Sequence, residues 1–126
     1  MSFHPVGEDD LVRARADEQW IRDEIFEREP APDQPSGGVD KAWHGHLFGW
    51  SAELVADAAE RLGSVTFDQL DAHYDPERMD AASIYPGFWA RDPDDGRDYL
   101  EGNLVELKQI FAYAADRRSC LVQHLG

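Results

Sequence analysis

Asp40, His44 and His46 are the residues of this sequence best suited to chemistry. They lie close together in the stretch DKAWHGHLFGW, Asp40 to Trp50. An aspartate four residues before a histidine faces it on a helix, where it can hold one ring nitrogen and leave the other for a metal or a proton. The same pair also serves as a plain structural hydrogen bond, or Asp40 as a helix cap. His44 and His46 share a face only on a strand; on a helix they point about 200° apart and cannot chelate together. The stripe Trp43, Leu47, Trp50 has helical spacing and reads as core contact. A helix is therefore expected over Val39 to Trp50, and no metal site.

Other chemical signatures are weak. RDPDDGRD (Arg91 to Asp98) lacks the ligand spacing of a calcium loop. There is no Gly-rich phosphate loop and no G-x-S-x-G context. Cys120, the single cysteine, sits in an apolar segment and is expected to be buried and inert. His4, His73 and His124 are far apart in sequence, so only the fold decides whether any of them meet. No catalytic residue and no cofactor are expected. The candidate binding residues are Asp40, Trp43, His44 and His46, with Tyr85 and Trp89 from the aromatic segment SIYPGFWARDPDDG, Ser83 to Gly96.

The elements that must position these residues are mostly helical. Met1 to Val6 reads as an edge strand, with Pro5 on its open side. A helix follows from Glu8, with acids in its first turn and Leu11, Val12, Trp20, Ile21, Ile25 and Phe26 as its apolar stripe, its periodicity faltering near Ala14 to Ala16. EPAPDQPSGG, Glu29 to Gly38, is a loop by its three prolines and two glycines. Ser51 caps the next helix, flanked by the staple pair Trp50 and Val55, with Leu54, Val55, Ala58, Ala59 and Leu62 as its apolar face. Thr66 and Gln69 spell a capping box, and Asp75–Pro76 opens a short helix. The segment Ser83 to Gly96 reads as an aromatic loop. Leu100, Leu104, Leu107, Ile110, Phe111 and Ala114 mark a long helix, and SCLVQHL ends the chain as a strand. The expected fold is α+β and mainly helical: one domain over residues 1–126, with N- and C-terminal strands in a small sheet covered by helices.

Composition narrows function further. The chain is 42% apolar, enough for a globular core, yet carries 26 acidic against 12 basic residues for a net charge of −14. Such a field disfavours nucleic acid and anionic membranes and attracts basic proteins. No apolar run reaches the ~20 residues of a membrane helix, and the N-terminus lacks signal-peptide character. With one cysteine, these features lead to an expected cytoplasmic location.

VDKAWHGHLFGW resembles the D-K-x-W-H/D-G-x-H-F-L-L motif of the YfbM-like family, small bacterial proteins classed as a domain of unknown function. YDPERMDAASIYP (Tyr74 to Pro86) resembles that family's second signature, which ends in I-Y-P. Asp40, Lys41, Trp43, His44, Ile84, Tyr85 and Pro86 match position by position. The chain departs at His46-Leu47-Phe48, where the family reads Leu-His-Phe, and lacks a longer insertion after the first motif. The resemblance implies an α+β fold and brings no activity, substrate or cofactor. The functional expectation is an acidic, non-enzymatic interaction module, of the kind an immunity-like inhibitor of a basic partner would be. The alternative is a small ligand-binding protein or enzyme using Asp40 and His44 beside an aromatic pocket.

Overall fold

The computed structural model describes residues 1–38 and 46–125. Among these residues nine elements follow in chain order, with one π-helical turn between them. They are β1 (Ser2–Val6), α1 (Glu8–Ala16), α2 (Glu18–Trp20), the π turn Ile21–Ile25, β2 (His46–Trp50), α3 (Ala52–Gly63), α4 (Phe67–Asp71), α5 (Pro76–Ala81), α6 (Pro93–Asp116) and β3 (Cys120–Leu125). The fold is α+β and mainly helical, as expected. The chain forms two compact units: unit 1 is Met1–Gly63 with Glu106–Gly126, and unit 2 is Ser64–Val105.

Unit 1 is built on an antiparallel sheet ordered β1-β3-β2. The terminal strands do pair, with Phe3 opposite Gln123 and Val6 opposite Cys120. β1 is an edge strand, which accommodates Pro5. Its outer side meets the Pro/Gly loop: the Phe3 N–H donates to the Gly37 carbonyl at 2.7 Å, and Gly38 bridges Ser2. The loop is held at a second point by Arg117, which pairs with Asp33 and stacks 3.7 Å over the Tyr113 ring.

Alternation along the strands gives the sheet two buried faces. Val6, Cys120 and Val122 pack with Leu11, Ala14, Ile21 and Ile25 on one side. Phe3 and Leu121 pack with Val55, Ile110, Phe111 and Ala114 on the other. Helices therefore cover both faces, α1 and the π turn on one, α3 and the end of α6 on the other. Cys120 is buried, as anticipated. The first helix does break: Asp17 ends α1, and its carboxylate caps α2 by accepting from the Trp20 N–H. Val12 and Leu54, expected on apolar stripes, are instead exposed at 62% and 54%.

The third strand corrects the helix expected over Val39 to Trp50. Residues 39–45 lie outside the described part, but His46–Trp50 is a strand, with Leu47 opposite His124 and Trp50 opposite Leu121. Leu47 and Trp50, three apart, would share one side of a helix. On the strand they take opposite faces, Leu47 packing with the first cluster and Trp50 with the second. Gly49 explains the close fit: a Cβ there would come 2.9 Å from Leu11 Cδ1, so α1 rests directly on the strand's backbone.

Unit 2 holds α4, α5 and the first part of α6. The capping box forms as read, Thr66 Oγ1 accepting from the Gln69 N–H at 3.3 Å and Gln69 Oε1 from the Thr66 N–H at 3.0 Å. Asp75 caps α5 with Pro76 at its start. α6 begins at Pro93, so the end of the expected aromatic loop is already helix, with Asp94 and Asp95 in the first turn, where carboxylates favour the dipole.

Candidate functional site

Of the six candidate residues, Asp40, Trp43 and His44 lie outside the described residues. His46 opens β2 and is exposed, its ring 6.5 Å from that of Phe48. Tyr85 and Trp89 belong to unit 2 and play opposite parts.

Trp89 is 1% exposed and organises unit 2. Its ring stacks on Phe88 at 5.2 Å and meets Tyr74 and Tyr99 edge-on. Its indole N–H donates to the Ile84 carbonyl at 2.9 Å. The Asp80 carboxylate accepts from the Trp89 and Ala90 backbone N–H groups at 3.2 and 2.7 Å. The segment from Ser83 to Trp89 is thus tied down at both ends, since the Ile84 N–H also donates to the Met79 carbonyl. Gly96 completes the packing, because a Cβ there would collide with the Tyr74 hydroxyl and lie 2.9 Å from Trp89 Cε3. Trp89 is a core residue, with nothing left to offer a ligand.

Tyr85 is 83% exposed and follows Ile84, itself 44% exposed; its peptide bond to Pro86 is cis. Ile84 lines an open groove of about 570 Å³ along with His73, Tyr74, Asp75, Arg78 and Met79. Tyr74 is fixed there: its hydroxyl donates to the Pro93 carbonyl at 2.9 Å, and Arg97 lies 4.9 Å over its ring while pairing with Asp71. Desolvation holds the Tyr74 phenol above its ordinary pKa; Arg97 opposes this, and Asp71, Asp80 and Asp94 add to it. The hydrogen bond and charge of Asp71 raise the Arg97 guanidinium in turn.

A second constellation escaped the sequence. Ser2 Oγ lies 2.8 Å from His4 Nε2, and the rings of His4 and His124 lie 4.7 and 5.3 Å from that of Phe26. The shared parity of Ser2, His4 and His124 in the strand register puts them on one sheet face, but only the β1–β3 pairing reveals this. A Ser–His hydrogen bond is the start of a nucleophile. With Ser2 2% and His124 1% exposed, however, this one is buried sheet structure. Among the described residues no group of three His, Cys, Asp or Glu side chains could hold a metal ion, and no helix is long and apolar enough to cross a membrane.

These features define a class: a small α+β protein with a three-stranded antiparallel sheet covered on both faces by helices, and a short helical unit inserted between α3 and the end of α6. A family model described as a domain of unknown function (DUF1877) matches residues 45–124, and the chain belongs to that family. Its structure is similar to the crystal structure of YfbM, a protein of unknown function from Escherichia coli, with a TM-score of 0.71 and 15% identity over 95% of each chain. At that identity the likeness establishes the fold. No curated protein matches the sequence.

Proposed function

We propose that the protein is a non-enzymatic interaction module that binds a basic partner protein, as an immunity-like inhibitor does. The observation that carries this reading is the character of unit 2. It holds a third of the chain and, with ten carboxylates against three arginines, a net charge of −7, half the total. The same unit leaves Leu70, Ile84, Tyr85, Tyr99 and Val105 at 43% exposure or more. Apolar anchors in a field of one sign are what a steered protein interface needs: the charge speeds encounter and the anchors slow release.

The test uses the full chain as bait in an extract of its own source cells, at low and high salt. A variant carrying Asp94→Asn, Asp95→Asn and Asp98→Asn is run alongside. The expected result is a stoichiometric basic protein, held by the wild type at low salt, released by high salt and bound far more slowly by the variant. A captured protein indifferent to both salt and neutralisation would overturn the reading.

A further inference from the structure

We propose that the partner's basic segment docks in the groove of unit 2, anchored on Tyr85 and Ile84; this deepens the reading above and rests on it. Three observations converge on that place. The groove is concave and partly apolar, with Met79 and Ile84 in its wall beside the Tyr74 ring. The adjoining Tyr85 is the most exposed of the large apolar side chains among the described residues. It is nonetheless carried on a segment tied by the Asp80 carboxylate and the Trp89 indole, so presenting it loses little conformational freedom on binding.

Charge complementarity selects the occupant. The groove is walled by the turn after α4 and by α5 with its cap, which carry Asp75, Glu77 and Asp80 against Arg78; the preceding α4 adds Asp68 and Asp71, the latter paired with Arg97. An extended segment alternating arginine or lysine with apolar residues matches this surface: its cations answer the carboxylates, and their aliphatic stems lie on apolar side chains. Arg78, in the groove wall, works against such an occupant. Its removal therefore reports the sign of the bound charge.

The experiment titrates the full chain with two synthetic peptides of equal length, one alternating Arg and Leu, the other Glu and Leu, followed by calorimetry and amide NMR. The Arg–Leu peptide is expected to bind and to shift resonances of residues 73–85. Tyr85→Ala should weaken it about tenfold or more, as truncating an aromatic anchor does. Arg78→Ala should tighten it, and Val12→Ala, an exposed control in unit 1, should change nothing. Because Tyr85 is exposed, its truncation leaves the fold intact, which the same spectra verify. Three outcomes overturn the proposal: binding of the Arg–Leu peptide unaffected by Tyr85→Ala, preferential binding of the Glu–Leu peptide with loss on Arg78→Ala, or no binding of either peptide. In each case the salt-sensitive capture described above still decides the wider reading. Capture that survives Tyr85→Ala but fails on neutralising Asp94, Asp95 and Asp98 would keep the acidic module and discard the groove.

Discussion

Unit 1 contains thirteen of the fourteen buried apolar residues among those described, arranged in two clusters on either side of a sheet; unit 2 contains one, Trp89. What unit 2 lacks in apolar core it replaces with local polar fastenings: the Thr66 box, the Asp75 cap, the Asp80 clamp and the Asp71–Arg97 pair. The contrast has a physical reason. A segment of this size buries too little surface to rely on packing alone, so its stability rests on one aromatic hub and on hydrogen bonds, most of which join partners within ten residues of each other while Asp71–Arg97 spans 26. The consequence is a unit in which Leu70, Ile84, Tyr85, Tyr99 and Val105 stay at the surface, while Val65, Phe67, Met79, Phe88, Leu100 and Leu104 are only half-buried.

The sharpest way to break the comparison is Trp89→Ala. Truncating a buried tryptophan costs about 3–5 kcal/mol, which should exceed what the small unit can absorb. Hydrogen exchange should then show the amides of Ser64–Val105 losing protection while those of β3 keep theirs. Equal loss in β3 would show that the two units are one cooperative body. Next in size is Asp80→Ala, which strips two backbone N–H groups of their acceptor at an expected cost of about 1–3 kcal/mol. Urea denaturation followed by Trp fluorescence should resolve it, and an unchanged midpoint would mean that the polar fastenings contribute nothing. The smallest effect is alkaline. Because the folded state holds the Tyr74 phenol above its unfolded pKa, the unfolded chain releases this proton first. The stability it contributes is therefore complete below about pH 10 and declines as pH rises beyond it. Tyr74 is only lightly shielded, so the slope is shallow; Tyr74→Phe should flatten it, and a slope identical in the variant would assign it elsewhere.

Legibility followed range. The caps at Ser51, Thr66 and Asp75 could be read directly because each joins groups within three or four residues, where type and spacing nearly determine geometry. β2 could not. Its five residues become a strand by pairing with a segment more than seventy positions away, and its Leu47–Trp50 spacing mimics a helix until that partner is known. The Ser2, His4 and His124 grouping was hidden for the same reason. Val12 and Leu54 were misplaced because a helix pattern gives the width of the apolar face and not where its neighbour ends. Within the candidate site, the sequence could not distinguish Trp89, which the Asp80 clamp draws inward, from Tyr85, which it leaves outside.

The strand order also bears on synthesis. β1 and β2 do not pair with each other; the strand each pairs with is β3, the last of the three to be translated. On the ribosome the N-terminal strand therefore waits for its sheet partner, with only Gly37 and Gly38 to pair on its outer edge, until the segment Cys120–Leu125 has emerged. Unit 2, a continuous stretch that ends at Val105, can close on itself before then. The acidic, locally fastened piece of this protein is thus free to fold before the sheet, which has to wait for its central strand.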